Sequence, residues 1–219
     1  ETVDVVTFDH EHVPQPILRE LEARGVPVHP RPEALQYAQD KILMRRKLAE
    51  LGVPVPAWAT ASNEAELQAF IDAHGGRAVV KTARGGYDGK GVRVVSQADE
   101  ARDWFTTLAE DGRGGHLLAE ELVDFIRELS QLVARRPSGE SRTWPVVETI
   151  QENGVCTEVL APAPVADPAT LEEAARIGRA VAEGVGVTGV LAVEMFETRD
   201  GRVLVNELAM RPHNSGHFS

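Results

Sequence analysis

The sequence is poor in the features that mark secreted, membrane-spanning and nucleic-acid-binding proteins. Its single cysteine, Cys156, excludes an internal disulfide and suits a reducing compartment such as the cytoplasm. No hydrophobic run reaches the length of a membrane span. Lysine and arginine number 23 against 34 aspartates and glutamates, and the net charge of −11 argues against nucleic acid or an anionic membrane as the main partner. An anionic substrate would therefore need local basic residues.

The order of strand-like and helical patterns predicts a mixed α/β (α+β) fold. A strand over Val3–Phe8, a helix over Pro14–Arg24 and a strand over Val26–His29 indicate the end of an N-terminal parallel α/β domain. Residues 9–12 (Asp-His-Glu-His) then form a loop at the carboxyl end of a parallel strand, where ligands usually bind. A metal site on His10 and His12 is the alternative. The chain begins without Met and stops just past a polar loop, so we expect it to be part of a longer protein.

Two alternating runs that flank Asp200-Gly201 predict a β-hairpin near the end of the chain. A two-residue turn there would put the side chain of Asn206 on the other face from its neighbour Glu207. The predicted opposite pairs are Glu194–Glu207, Phe196–Val205 and Ala192–Ala209. Like charges about 4.5–5.5 Å apart at Cβ destabilise a sheet, so something should compensate the two glutamates. Mg²⁺ takes oxygen ligands and is the simplest candidate; two solvated glutamates on an exposed edge, or one protonated glutamate, are the alternative.

A second candidate site follows a strand that ends in Lys81. The stretch RAVVKTARGGYDGKGVRVV reads as strand, glycine-rich turn and strand. Glycines permit close backbone approach, and successive N–H groups in such a turn bind anions. No helix and no Lys-Ser/Thr pair follows, so this is not a P-loop. We interpret it as a hairpin that covers nucleotide phosphates, against the alternative of an ordinary glycine-rich hairpin beside a solvated edge lysine.

Two further segments could face the same ligand. The helix predicted over Lys41–Leu51 has a basic face, which we interpret mostly as solvated surface; Lys41 is set apart only by the family resemblance given below. That face consists of Lys41, Arg45, Arg46 and Lys47. In Glu120–Val123 (EELV) a strand becomes a linker, and its backbone groups could bind the edge of an adenine as a further strand would.

In this order the motifs resemble the ATP-grasp enzymes, and within them the N5-carboxyaminoimidazole ribonucleotide synthetase family. The motifs are GGYDGKG at 85–91, EELV at 120–123, EMF at 194–196, NE at 206–207 and RPHNSGH at 211–217. The resemblance implies an ATP-grasp domain over residues 41–219, with a lid at about 76–123, and the remnant of the N-terminal domain over 1–40; the family's C-terminal domain would be missing. It also implies ATP- and bicarbonate-dependent carboxylation of 5-aminoimidazole ribonucleotide through carboxyphosphate, in purine biosynthesis. One or two Mg²⁺ ions and a homodimer of the full-length protein belong to the same expectation.

Carried over position by position, the resemblance also assigns site residues. ATP contacts are implied at Lys41, Lys81, Gly86, Tyr87, Asp88, Gly89, Lys90, Gly91, Val92, Glu120, Glu121, Leu122, Val123, Glu128, Gln151, Asn206 and Glu207. Mg²⁺ ligands are implied at Glu194 and Glu207, substrate contacts at Tyr87, Asp88, Arg211, His213 and Asn214, and catalytic roles at Lys81, Asp88 and Arg211. Gln151 stands where many relatives have a histidine, and its amide can donate a hydrogen bond but cannot be charged.

Two other functions stay open at this point. Another ATP-grasp carboxylate–amine ligase, such as a formate-dependent formyltransferase, would share the nucleotide residues and differ at RPHNSGH. A truncated module that binds nucleotide without turnover is the second alternative.

Overall fold

The computed structural model describes residues 3–86, 90–110, 115–164 and 167–219. Its helices are α1 (Gln15–Ala23), α2 (Pro32–Gln39), α3 (Lys41–Glu50), α4 (Glu64–Ala73), α5 (Arg102–Glu110) and α6 (Pro168–Gly184). Its strands are β1 (Trp58–Ala61), β2 (Ala78–Thr82), β3 (Val92–Val95), β4 (Leu117–Glu121), β5 (Phe125–Arg135), β6 (Ser141–Thr143), β7 (Val147–Glu152), β8 (Val155–Leu160), β9 (Gly189–Thr198) and β10 (Val203–Ala209). Short 3₁₀ turns span Ala98–Ala101 and Asn214–Gly216. Tyr87, Asp88 and Gly89, which carry predicted site roles, lie outside the described residues.

The N-terminal segment keeps the predicted βαβ order but little of the predicted strands. In its described part, Val6 and Val28 form one parallel bridge, and α1 connects them. Val3 and Val5 are more than 45% exposed, so the start of the run lacks the apolar cover that parallel strands need. Gly25 ends α1 with a φ of 81°, as its position after the helix predicts.

A small antiparallel sheet has the strand order β1-β4-β2-β3. Its apolar core is closed by α4 and the Ala98–Ala101 turn. Helix α4 begins after Asn63, because Asn63 accepts a hydrogen bond from the Glu66 N–H at 3.0 Å while Glu66 accepts one from the Ser62 N–H. The strand β2 that carries Lys81 lies in the middle of this sheet, between β4 and β3.

A larger antiparallel sheet has the order β10-β9-β5-β7-β8, with β6 paired to β5. Helix α6 packs on one face, where the backbone of Gly178 lies so close to Gln131 that an added Cβ would be 2.4 Å from its Cγ. That face belongs to the main hydrophobic core, which includes Leu129, Val193 and Met195. No helix in the described ranges is both long and apolar enough to cross a membrane. The opposite face of the sheet borders the site described below.

The β9–β10 hairpin forms, but its turn and register differ from the prediction. Thr198 and Arg202 bracket a three-residue loop, in which the Gly201 N–H bonds to the Thr198 carbonyl at 2.9 Å and Gly201 has a φ of 82°. A three-residue loop with glycine in the left-handed region is a common hairpin connection. Phe196 therefore lies opposite Leu204, and the predicted Phe196–Val205 pair is wrong.

A β-bulge then restores the predicted register farther along. Val205 lies opposite Met195 and Glu207 lies opposite Glu194, so Asn206 is the extra residue on β10. Beyond the bulge the Glu194–Glu207 pair is confirmed, and so is the pair Ala192–Ala209. The prediction of these pairs was right because two one-residue offsets, in the loop and in the bulge, cancel.

The bulge also changes which side chains face the core. Val205 and Leu208 are both buried in the main core, so the strand changes face across the two residues between them. Asn206 and Glu207 consequently both border the site on the opposite face. The prediction that the Asn206 side chain lies on the other face from Glu207 is wrong for this reason.

The hairpin loop makes a stability prediction. Gly201→Ala should destabilise the protein by roughly 1–2 kcal/mol, because a Cβ is strained at positive φ even where there is open space around it. Gly201→Asn should cost less, since asparagine tolerates the left-handed region better. Thermal unfolding followed by circular dichroism would measure both. Equal melting temperatures for the alanine variant and the wild type would contradict the three-residue loop.

Candidate functional site

A cleft of about 700 Å³ lies between the two sheets and is the size of a small-molecule site. It collects most of the predicted site residues. Those that line it are Lys41, Lys81, Gly86, Lys90, Val92, Glu128, Gln151, Glu194, Asn206, Glu207, Arg211, His213 and Asn214. Of the other predicted residues that the structure describes, Gly91 and the EELV segment (Glu120, Glu121, Leu122 and Val123) do not line it.

Two nearly buried lysines give the cleft its positive charge. Lys41 is 8% exposed at the start of α3, and its ammonium pairs with Glu207. Lys81 is 7% exposed in β2 and lies 2.7 Å from Glu120 while donating to the Asn206 side chain at 3.0 Å. Both lysines could bind an anion that enters the cleft, because each ammonium has three donors.

The base of the glycine-rich turn is tied to the helix that carries Lys41. Asp40 caps α3 by accepting from the Ile42 and Leu43 N–H groups at 3.0 Å, and its other oxygen binds Arg84 at 2.9 Å. The Lys41 N–H donates to the Ala83 carbonyl at 2.8 Å. The turn and the lysine are therefore held together by the backbone.

Glycine is required at both ends of this turn. Gly86 has a φ of 82°, and a Cβ there would lie 2.5 Å from the Lys90 carbonyl oxygen. Gly91 has a φ of 74°, and a Cβ would lie 2.6 Å from the Thr82 hydroxyl. Such close approach leaves no room for a side chain at either position.

Two glutamates on adjacent strands present oxygen ligands to the cleft. Burial raises the pKa of Glu207, but the charges of Lys41, Lys81 and Arg45 outweigh it and hold that pKa below its ordinary value. Glu194 lies 2.9 Å from His213 Nε2. In the described residues no group of three or more His, Cys, Asp or Glu could hold a metal by itself. Two glutamate side chains and an amide oxygen still fit Mg²⁺, which completes its shell with water and phosphate oxygens.

The far wall of the cleft carries a third carboxyl group. Burial, and then the charge of Glu194, raise the pKa of Glu128, while a hydrogen bond from Gln151 partly offsets them. Burial and the charges of Glu194 and Glu128 also raise the pKa of the Cys156 thiol, so this thiol is protonated and a poor nucleophile.

A cluster that includes the N-terminal segment closes the other end. Arg211 donates through Nε to Glu11 at 2.9 Å and through Nη1 to the Pro212 carbonyl at 2.9 Å. The second Glu11 oxygen accepts the Met210 N–H at 2.8 Å. Glu11 is 9% exposed and reaches Arg211 across 200 residues of sequence. We placed residues 9–12 at a ligand-binding loop, but the contact of Glu11 with Arg211 was not predicted.

His213 is held from both sides by hydrogen bonds. The Ser215 hydroxyl lies 2.8 Å from Nδ1, and the Ser130 hydroxyl lies 2.8 Å from the Ser215 hydroxyl. Because the Ser215 N–H also points to Nδ1, at 3.3 Å, that nitrogen acts as an acceptor and Nε2 carries the proton toward Glu194. His213 can therefore donate a hydrogen bond at the cleft.

The basic face of α3 differs most from the sequence interpretation. Arg45 is fully buried, with an exposure of 0%, and its guanidinium pairs with Glu120, which is 2% exposed. The interpretation of Arg45 as solvated surface is wrong. The Glu121 carboxylate accepts the Ala57 N–H at 2.9 Å, so both glutamate side chains of EELV bind the protein itself. The role of EELV in adenine binding stays a prediction for its backbone and for Leu122 and Val123.

Comparison with known proteins identifies relatives of this chain. A model of the ATP-grasp domain matches residues 46–219, and a model of the ribonucleotide synthetase preATP-grasp domain matches residues 1–39. The N5-carboxyaminoimidazole ribonucleotide synthase of Mycobacterium tuberculosis is 51% identical over 216 residues, which are 99% of this chain and 50% of that protein.

Solved structures of N5-carboxyaminoimidazole ribonucleotide synthetases superpose on the chain. The ADP complex of an N5-carboxyaminoimidazole ribonucleotide synthetase matches with a TM-score of 0.88 at 33% identity, over 98% of this chain and 55% of that one. The Aspergillus clavatus synthase in complex with ADP and 5-aminoimidazole ribonucleotide matches with a TM-score of 0.85 at 29% identity, over 98% and 55%. The chain thus spans about half the length of the relatives it matches.

The buried carboxylate at the centre of the site makes a prediction for stability and its pH dependence. Glu120→Gln should destabilise the protein by about 3–5 kcal/mol near pH 7, because Arg45 and Lys81 lose their shared partner. Burial raises the pKa of Glu120, but Lys81 and Arg45 together lower it below its ordinary value. A lowered pKa in the folded state adds stability above the unfolded-state pKa of about 4.3, and this stability is lost as the pH falls through the folded pKa.

Urea unfolding of the wild type and of Glu120→Gln between pH 7 and pH 3 measures this pH dependence. The difference between their free energies of unfolding should narrow below about pH 4.3. Glu110→Gln, which alters an exposed carboxylate at the end of α5, is the control and should stay close to wild type throughout. A gap that does not change with pH would contradict an ionised Glu120.

Proposed function

This chain belongs to the ATP-grasp family, and from that premise we propose that it carries the nucleotide site of a carbon–nitrogen ligase that carboxylates 5-aminoimidazole ribonucleotide. ATP would supply the energy and bicarbonate the carboxyl group. The observation that carries the proposal is the convergence of Lys41, Lys81, Glu207 and Arg211 on one cleft. The names and bound ligands of the relatives support the same activity.

We place the triphosphate of ATP at the end of the cleft that holds the lysines. Lys41 and Lys81 would neutralise its oxygens, and the backbone of the glycine-rich turn would cover them. Glu194 and Glu207 would hold one or two Mg²⁺ ions, with Asn206 beside them. Bound Mg²⁺ would supply charge neutralisation for the phosphates. Glu128 would bind the ribose, with Gln151 beside it in the wall of the cleft.

We place bicarbonate and the ribonucleotide at the other end, beside Arg211, His213 and Asn214. A guanidinium binds planar anions through parallel N–H bonds, and Glu11 fixes its orientation here through Nε. His213 would donate from Nε2. Tyr87 and Asp88 complete this end in the proposal, on the family resemblance alone.

The reaction has two steps. A bicarbonate oxygen attacks the γ-phosphorus of ATP, the bond to the β-phosphate oxygen breaks, and ADP leaves with carboxyphosphate formed. The exocyclic amine of the ribonucleotide then attacks the carbon of carboxyphosphate, inorganic phosphate leaves, and the amine loses a proton, for which Asp88 is the proposed acceptor. Phosphoryl transfer depends mostly on positioning and charge stabilisation, which buried lysines provide.

The family resemblance also leads us to propose Mg²⁺ dependence, a homodimer of the whole protein and a cytoplasmic location. The domain boundary at residues 40 and 41 and the lid at about 76–123 likewise stay predictions. Sedimentation analysis would test the homodimer.

The substrate assignment is tested by measuring ADP release with each component varied. Release should require both 5-aminoimidazole ribonucleotide and bicarbonate, and formate should not replace bicarbonate. Turnover with formate would indicate a formyltransferase-type ligase. Binding of Mg-ATP without ADP release under any of these conditions would indicate a nucleotide-binding module.

Glu207→Gln should abolish ADP release while the protein stays folded, because the amide keeps the shape of the side chain but loses the charge needed by a cation. A fall of at least about 100-fold in kcat is expected, similar to the loss of other groups that stabilise transition-state charge. Glu172→Gln, an exposed position on α6, is the control. ADP release that persists in the Glu207 variant would remove the proposed metal role.

A further inference from the structure

Arg45 is a buried cation that lies outside the cleft but touches the backbone from which the cleft is built. It is fully buried in α3 and is not among the cleft-lining residues that the structure describes. A buried charge is costly unless it is paired and its donors are used. Its contacts therefore indicate what it is there to hold.

The guanidinium of Arg45 binds the carbonyls of the β-bulge. Nη1 donates to the Val205 carbonyl at 3.2 Å and Nη2 to the Asn206 carbonyl at 2.7 Å, while Nε pairs with Glu120. A bulge disrupts the ladder of its strand locally, and buried carbonyls need donors. The fork of an arginine matches this need, because it presents several donors in one fixed plane.

These contacts close a ring of four residues. Glu120 pairs with Arg45 through one oxygen and lies 2.7 Å from Lys81 through the other. Lys81 donates to the Asn206 side chain, and Arg45 donates to the Asn206 carbonyl. Asn206 is thus held at its backbone and at its side chain by two cations that share one carboxylate.

We propose that Arg45 is a positioning residue for the nucleotide and metal end of the cleft. By holding the Val205 and Asn206 carbonyls it fixes the bulge, and the bulge directs Asn206 and Glu207 to the same face. This inference rests on the proposed function for the identity of the ligand. The part that concerns the bulge rests on the structure alone.

The first test is Arg45→Lys. Lysine keeps the charge for Glu120, but its single ammonium cannot also reach both carbonyls in the geometry of the fork. The Mg²⁺ concentration that gives half-maximal ADP binding in calorimetry should rise about 10-fold or more, as for other residues that orient metal ligands. The KM for 5-aminoimidazole ribonucleotide should change less than about twofold, since Arg211 and His213 are not held by Arg45.

Arg46→Lys is the matched control, because Arg46 is the exposed neighbour on the same helix. It should leave both quantities unchanged. If Arg45→Lys leaves the Mg²⁺ requirement unchanged, the proposal is overturned. A variant that weakens ADP binding equally with Mg²⁺ and with chelator shows a merely structural role and also overturns it.

Hydrogen exchange without nucleotide gives a readout that does not depend on the proposed function. Amides of β10 should exchange faster in Arg45→Lys, while those of α6 keep their protection. Unchanged β10 exchange overturns the proposal. Failure of the proposed function would give a different result. The wild type would bind no Mg-ADP, although the β10 amides would still exchange faster in Arg45→Lys than in the wild type.

A second variant guards against loss of folding. Arg45→Met leaves Glu120 paired with Lys81, which lies 2.7 Å away, and removes only the donors to the bulge carbonyls. A larger increase in amide exchange in β10 than in α6, each relative to the wild type, supports the proposal in this variant too. An equal increase in both elements contradicts it.

Discussion

The one-residue bulge at Asn206 is the constraint on which the candidate site depends. A regular strand alternates its side chains, so Asn206 and Glu207 could not both face the cleft while Val205 and Leu208 both face the core. One extra residue satisfies all four positions at once. The disrupted ladder leaves carbonyls to be paired, and this explains why a buried arginine lies beneath this point of the sheet.

The lysines of the cleft are paired with carboxylates, and for Lys41 an entering anion could replace that carboxylate. The protein has a net charge of −11, yet Lys41, Lys81 and Arg45 are all nearly or fully buried around two glutamates. Glu120 is enclosed and keeps its cations, whereas the Glu207 side chain is 35% exposed beside Lys41. An entering phosphate could therefore compete for Lys41, because the partly exposed Glu207 side chain would remain accessible to a cation or to water.

The sequence predicts the elements and the motifs better than it predicts the contacts between them. The helices predicted over Pro14–Arg24 and Lys41–Leu51 match α1 and α3 to within one residue at each end. The pair Glu194–Glu207 is predicted correctly although the loop and the bulge are not. Arg45 was missed because its partner Glu120 is 75 residues away, and no local pattern shows that a basic helix face is buried. One usable signal existed, since Arg45 follows Lys41 by four residues and so lies on the same helix face.

The contact between Glu11 and Arg211 shows why the two matched segments have to be considered together. Arg211 lies in the segment that matches the ATP-grasp domain, and Glu11 lies in the segment that matches the preATP-grasp domain. Glu11 binds both the Arg211 side chain and the neighbouring Met210 N–H, so it fixes the backbone and the guanidinium together. The orientation of the basic group nearest the proposed bicarbonate is thus set by the N-terminal segment. The end of the cleft proposed for the substrate is therefore built from both segments.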